Sequence, residues 1–343
     1  MGVTLQQGKW VFERWRNVGF SVLGQAARWL VRCVLAVSLL GLLAGAFGRY
    51  STDLDLLANA RGHLIGIAAF AGLALWLDYR PVVVLGLGAF LTLATHALLA
   101  QQYAGPLFSI ANAAPVAGAG AWTVLSLNSW HNHPDPAALS DFLTDANADV
   151  LVLTEFGPNK IAELHTLEKT YPYRVECAAQ WECAIAVLSR HPFTSSGSNP
   201  EGARGPAMAW VTFGAGEQAF TVMGVHVAGP LRSSAVHARE LFSLAGTVRG
   251  FSGKIVVAGD FNTTPWTSAF ARFGEVSHLA HMGRFLPSYP AGTKGLPQLA
   301  IDHMFASPSL RFDDVWLGPD VGSDHRPVLA NVQLPQTVVS ALP

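Results

Sequence analysis

The chain has 343 residues; half are apolar and only 13% are charged, about half of the ~25% usual in soluble proteins. The first 120 residues hold 8 Lys+Arg and 4 Asp+Glu, while residues 121–343 hold 14 Lys+Arg and 19 Asp+Glu, a net charge of −5 with ten histidines left aside. This split argues against a wholly soluble chain. The acidic C-terminal part is a poor match for non-specific nucleic-acid binding, which needs clustered Lys and Arg, although a local basic groove stays compatible with it.

Taken in order, residues 1–28 carry Lys9, Arg14, Arg16 and Arg28 among Trp10, Phe12 and Trp15, the pattern of an interfacial amphipathic stretch. Leu30–Phe47 is an apolar run broken only by Arg32, whose side chain can snorkel. Leu64–Leu77 is a shorter run, and Pro81–Ala100 carries no charge. Spans of about 20 residues match the hydrocarbon thickness. Three transmembrane helices are predicted, at about 30–47, 62–79 and 81–100. A cleavable signal peptide would explain the first but not the other two. With the N-terminus inside, the inner side carries Lys9, Arg14, Arg16, Arg28 and Arg80, while Arg49 and Arg61 outside are offset by Asp53 and Asp55. After the third run no Lys or Arg occurs until Lys160, so the basic residues place the C-terminal part outside. Three spans without interior acidic residues offer little of a transport pathway.

Residues 101–121 are rich in Ala, Gly and Pro and read as a linker; residues 336–343 read as a tail. Between them short apolar runs alternate with polar helical patterns. Strands are predicted at Trp122–Leu127, Val150–Thr154, Ala184–Ser189, Ala207–Phe213, Phe220–His226, Ile255–Ala258, His303–Ala306 and Pro327–Val332. Helices are predicted at Pro136–Ala146, Ile161–Thr170, Ser233–Arg249 and Thr267–Phe273. This mixture over about 220 residues suggests one α/β (α+β) domain with more than one sheet. Cys177 and Cys183 lie close enough to pair in an oxidising compartment; on spacing alone, two unlinked thiols are equally compatible. Zinc would need further ligands.

Polar residues recur at the strand ends: Asn128, Glu155, His226, Asp260 with Asn262, Asp302, and Asp324 with His325. Singly each has an ordinary reading as a turn former, cap or solvated side chain. Six together suggest one polar site at one rim of the sheets. In VVAGDFNTTPW, Gly259 is expected to end a buried strand and to set Asp260 and Asn262 at its mouth. His131 and His133 follow Asn128 closely enough to reach the mouth of the site but read first as loop residues, and His278 and His281 as a surface loop. Trp266 either walls the pocket or packs under the turn. Ser323-Asp324-His325 is not expected to be a serine triad, because neighbours on a strand face opposite ways.

The segments Gly259–Trp266 (GDFNTTPW), Ile301–His303 (IDH) and Gly322–Val328 (GSDHRPV), with Asn128 and Glu155 upstream, resemble the endonuclease/exonuclease/phosphatase superfamily, and its membrane-anchored bacterial members in particular. The resemblance covers roughly residues 121–335. Thr154 departs from it, standing where Gln commonly precedes the glutamate, as does the Cys183–Ala186 start of a strand. The resemblance implies a DNase I-like four-layer α/β/β/α sandwich over 122–335, held on the periplasmic side of a bacterial inner membrane. It also implies a phosphoesterase using Mg²⁺ or Mn²⁺. Hard-oxygen ligands would come from Glu155, with Asn128 and Asp324 completing the metal or phosphate shell. Asp302 would orient His325, Asp260 would orient or deprotonate the attacking water, and Asn262 and His226 would donate to phosphate oxygens. Either His325 or Asp260 could be the base. The expected substrate is a phosphodiester or phosphomonoester. The alternatives are a metal-dependent endo- or exonuclease and a non-catalytic envelope protein that keeps the fold; loss of a catalytic position would mark the latter, and none is lost. The topology is testable with an alkaline phosphatase fusion after Gln102. An active fusion is expected, and an inactive one contradicts export.

Overall fold

The computed structural model describes residues 4–79, 121–177, 183–199, 205–292 and 298–334. The third predicted membrane helix, nearly all of the predicted linker and the tail lie outside these residues. Helix α1 (Thr4–Ala46) contains the stretch Gln25–Ala46, which is long and apolar enough to cross a membrane. A 3₁₀ turn (Gly48–Tyr50), a short helix α2 (Thr52–Ala58) and helix α3 (Arg61–Tyr79) follow, and α3 packs on α1. Helix α3 reaches spanning length and apolarity only together with α2, and that pair is bent by 60°. The described residues therefore give one candidate span, or two if the bent pair counts as one, where the sequence predicted three in all. Gly41 and Gly45 allow the close packing: an added Cβ would lie 3.1 Å from Leu64 and 3.2 Å from the Ala58 backbone, the use small residues have between apolar helices.

Beyond residue 120 the described residues form two six-stranded sheets. Their strands are β1 (Ala121–Asn128), β2 (Val150–Thr154), β3 (Tyr173–Glu176), β4 (Ala186–Ser189), β5 (Ser195–Asn199), β6 (Ala207–Phe213), β7 (Phe220–His226), β8 (Lys254–Asp260), β9 (Ala280–His281), β10 (Asp302–Ala306), β11 (Arg311–Leu317) and β12 (Val328–Gln333). The orders are β11-β12-β1-β2-β4-β3 and β5-β6-β7-β8-β10-β9. Each sheet has one parallel pair, β1 with β2 and β7 with β8. Helix α4 (Pro136–Ala146) makes the first crossover and α6 (Ser234–Val248) the second. Helix α5 (Ile161–Leu167) follows β2, and α7 (Ser268–Ser277) follows β8.

The period-two alternation of the strands divides the core into three layers. Val124, Val150, Val152, Ile185 and Val187 of one sheet meet Ala209, Val211, Val222, Val256 and Ala258 of the other. On the reverse faces Leu125, Leu151 and Leu153 pack on α4 and α5 through Leu139, Leu143 and Leu164. Val225, Val257 and Phe305 pack on α6 and α7 through Leu241, Leu244, Phe270 and Phe273. The result is the expected helix–sheet–sheet–helix order. Cys177 and Cys183 are joined as a disulfide, tying the end of edge strand β3 to the lead-in of β4.

The four strands that the sequence did not reveal (β3, β5, β9 and β11) are the four sheet edges. An edge strand has no neighbour on one side and needs no continuous apolar run. Ser195–Asn199 is SSGSN, and Arg311–Leu317 carries a bulge beside its two aspartates, which are edge devices. At the centre the sheets approach closely at Gly224, where an added Cβ would lie 2.8 Å from Val152 and 3.3 Å from Val187. Gly224→Val should therefore overpack the interface and cost about 1–3 kcal/mol, read as a lower midpoint in urea denaturation. An unchanged midpoint would show that the sheets have room to spare.

Candidate active site

The topology explains why the polar strand ends converge. Parallel pairing puts the C-terminal ends of β1 and β2 at one rim, with Asn128 opposite Thr154, and those of β7 and β8 likewise, with His226 opposite Asp260. Strands β10 and β12 run antiparallel to β8 and β1, so they begin at that rim. Asp302 consequently pairs with Asp260, and the bend carrying Ser323, Asp324 and His325 leads into β12.

Asp260 is buried and sits at the centre. Its Oδ1 accepts the Asn262 N–H at 2.7 Å, and its Oδ2 accepts both Asn262 Nδ2 and Asn128 Nδ2 at 3.1 Å. His226 Nε2 and His325 Nε2 stand 3.8 and 3.9 Å from Oδ2. Burial, followed by the Asp302 charge, pushes the Asp260 carboxyl up to about 6, against the pull of His325 and His226. Strand β8 runs through Gly259 rather than ending there. Gly259 has φ +148°, and a Cβ on it would come within 2.0 Å of the Val225 carbonyl oxygen. Only glycine lets β8 lie this close to β7 with its last residue turned into the site.

Glu155 follows β2 in the left-handed region, with φ +51°. Its Oε1 accepts Asn128 Nδ2 at 3.1 Å, and its Oε2 faces the His131 backbone N–H and Nδ1, both at 2.8 Å. Burial alone would raise its pKa, but His226, the His131 backbone, Asn128 and the His131 ring together bring it down to about 2. His131 is thus a partner of Glu155 and not a bystander of the loop. Its separation from Glu155 by 24 residues left no local sign of this. Lys160 was also missed: it is fully buried and donates from Nζ to the Glu155 carbonyl at 2.9 Å. Burial pushes it down to about 8, opposed by Glu155.

Asp302 and His325 form the expected pair, with Asp302 Oδ2 2.7 Å from His325 Nδ1 and both residues buried. Tyr289 lies against the imidazole, ring centroids 4.7 Å apart. Burial disfavours the charged ring, but Asp302, then Asp260 and Asp324, push its pKa up to about 10. Asp324 is half-buried, its Oδ1 has no hydrogen-bond partner among the described residues, and burial raises its pKa against the influence of His325. Ligand atoms of Asp260, Asp302 and His325 lie within 4.8 Å of one another, so this group could hold a metal ion. That is a different trio from the Glu155, Asn128 and Asp324 set drawn from the sequence.

Asn128 Nδ2 faces the Glu155 and Asp260 carboxylates and joins them, while its Oδ1 accepts the Trp130 N–H at 3.0 Å and keeps a second lone pair. Asn262 Nδ2 bonds Asp260 and, at 2.9 Å, the Val227 carbonyl. Two local expectations need correction. Ser323 lies in a bend, not a strand, and its hydroxyl donates to the Asn128 carbonyl at 2.7 Å. His281 belongs to β9, with its Nε2 3.2 Å from His303 Nδ1. His133 bonds the Val321 carbonyl. Trp266 stacks on Phe285, centroids 5.1 Å apart.

The chain belongs to the Endonuclease/Exonuclease/phosphatase family, whose model matches residues 125–325. No curated protein matches the sequence. Among solved structures, a humanized D. rerio TDP2 carrying 14 mutations is similar at 15% identity, over 63% of this chain and 100% of that one, with a TM-score of 0.53. D. rerio TDP2 complexed with a single-strand DNA product gives 16% identity, 62% and 99% coverage and 0.51. A functionally unknown conserved protein from Enterococcus faecalis V583 gives 14%, 61%, 98% and 0.50. At these identities the likeness is one of fold.

The buried pair gives a pH prediction. His325 is raised above its ordinary 6.5, so its contribution to stability is full below about pH 6.5 and is lost as the pH rises through about 10. Asp302→Asn removes the main charge that raises it. NMR titration of the ring should then show the midpoint falling back toward 6.5; a midpoint that stays near 10 would contradict the pairing.

Proposed function

We propose that the protein is a membrane-anchored, divalent-metal-dependent phosphodiester hydrolase that acts by attack of water at phosphorus. The observation that carries this reading is the convergence of the Asp302–His325 pair on Asp260, with Glu155 across Asn128 from it. The donor set fits Mg²⁺ or Mn²⁺, which prefer hard oxygens: Glu155 has its carboxylate at the mouth, and Asp324 has a buried oxygen with no partner among the described residues. These two residues would hold the ion. When bound, such an ion neutralises phosphate charge and acidifies water.

The remaining roles belong to the chain itself. Asp302 fixes the His325 ring so that Nε2 points at Asp260. With the His325 ring already charged beside Asp302, the proton leaving the attacking water passes to the Asp260 carboxylate as the new O–P bond forms. The leaving oxygen departs as its P–O bond breaks and takes up a proton from solvent water, to which Asp260 returns the one it accepted. His226, a quarter exposed and near both Glu155 and Asp260, donates to a phosphate oxygen. Asn128 and Asn262 hold the carboxylates in place throughout.

The anchor is the apolar stretch Gln25–Ala46, whose Leu30, Val37, Leu40 and Leu43 are exposed, as lipid-facing side chains are. We place the catalytic domain on the outer, periplasmic side because of the basic-residue asymmetry. The acidic domain and the anchor favour a lipid-linked or small phosphodiester. Nuclease activity is the second reading, favoured by the fold shared with a protein complexed with a single-strand DNA product.

The test is hydrolysis by the full-length protein, with Mg²⁺ or Mn²⁺, of bis-(p-nitrophenyl) phosphate, DNA, RNA, phospholipids and inositol phosphates. At least one should be turned over, and His325→Ala and Asp260→Ala should each lose roughly 10²–10⁴-fold. No turnover, or variants as active as the parent, would overturn the reading.

A further inference from the structure

The segment between α1 and α3, which the basic-residue pattern puts on the outer side, is bound into the domain that carries the candidate site. Asp55, buried in α2, accepts the Ser268 and Ala269 backbone N–H groups at 2.7 and 2.9 Å and so caps α7. Gly48 leaves the room for this: a Cβ there would lie 2.2 Å from Asp55 Oδ1. Asn59 Oδ1 accepts the Thr264 N–H at 2.7 Å and faces the Thr263 hydroxyl. Thr52 and Asp53 both bond the Ser234 hydroxyl at the start of α6. Gly62, in the first turn of α3, meets the Trp266 ring, which an added Cβ would approach to 3.0 Å.

Every one of these contacts falls on a segment that leaves the candidate site. Thr263–Ala269 continues the chain from Asp260 and Asn262, and Ser234 closes the loop that follows His226. The two segments are already joined at the rim, because Asn262 Nδ2 and the Val227 N–H bond across it, to Val227 O and Asp260 O. The seam is tight at its Asn59 end, where the cavity between Asp55, Asn59, His237 and Thr263 is about 10 Å³, room for at most one water; toward Gly48–Thr52 it opens into a cavity of about 590 Å³ between the hairpin and α6 and α7.

We infer that Asp55 and Asn59 are positioning residues of the active site, through which the α1–α3 helical hairpin sets the Asp260–Asn262 turn. The hairpin is then part of the catalytic apparatus as well as an anchor, and turnover depends on its packing. This rests on the hydrolase reading for its kinetic consequence, but the docking itself does not.

The experiment uses the full-length protein in phosphatidylethanolamine/phosphatidylglycerol vesicles, with bis-(p-nitrophenyl) phosphate as a soluble probe that needs no bilayer. Asn59→Leu removes the acceptor and keeps the size. Its kcat should fall roughly 10- to 100-fold with KM little changed, the pattern of a displaced catalytic group. Asn59→Asp keeps an acceptor oxygen for Thr264 and should retain most of the parent kcat. Amide hydrogen exchange over Phe261–Ala269 should quicken in Asn59→Leu and not in Asn59→Asp. A parent-like kcat in Asn59→Leu overturns the inference, as does an equal loss in both variants. If the parent hydrolyses nothing, the hydrolase reading fails separately, and unchanged exchange in Asn59→Leu then overturns the docking claim on its own.

Discussion

A carboxylate buried where two sheets meet is the constraint on which the rest of the structure depends. Asp260 is almost inaccessible, and a buried carboxylate is costly unless hydrogen-bonded and faced by positive charge. Three N–H donors from Asn262 and Asn128 and two nearby imidazoles meet that need. These partners come from β1, β7, the turn after β8 and the bend before β12, so satisfying one side chain requires the strand order and register of both sheets. Asn128 passes the constraint on to Glu155, and Asp302 passes it on to His325. The site is one connected polar network rather than a set of separate groups, which is the condition under which such networks hold a fixed geometry.

The family relation and the network bear on different questions. The match over residues 125–325 gives the family. The structural relatives share the layered fold at about 15% identity, which leaves substrate to be argued from this chain's own features. Those features are a mildly acidic domain and an apolar N-terminal helix. The hairpin contacts add a constraint of their own: Asn59 bonds Thr263 and Thr264 just beyond the turn that presents Asp260, and Asp55 bonds the start of α7, so the N-terminal helices and the segment leaving the site are joined.

Much of this was legible in the sequence. The eight strands read from apolar runs are all present, because each is internal to a sheet and buried on both faces. The four edge strands were not legible, because polar stretches such as SSGSN bury too little to leave a pattern. Every candidate site residue lies at the rim, since polar residues that close apolar strands can only collect where parallel pairs end. What the residue types could not reveal was which hydrogen went where. Asn128, expected in the metal or phosphate shell, and Asn262, expected to donate to phosphate, also bond the site's own carboxylates. His131 and Lys160 looked incidental and hold Glu155 from both sides. Their pairing depends on loop geometry across 24 and 5 residues, which carries no periodic signal. The α2 segment was hidden for the same reason, because its partners lie about 200 residues away.

The measurement that bears most directly on the central claim is oxygen-isotope tracing of one turnover in ¹⁸O-labelled water, with Mg²⁺ or Mn²⁺ and a phosphodiester that the full-length protein cleaves. Attack of water at phosphorus places the label in the phosphate-bearing product and leaves the alcohol unlabelled. Label appearing in the alcohol, or turnover that persists in the Asp260→Ala, His325→Ala double variant, would contradict the account.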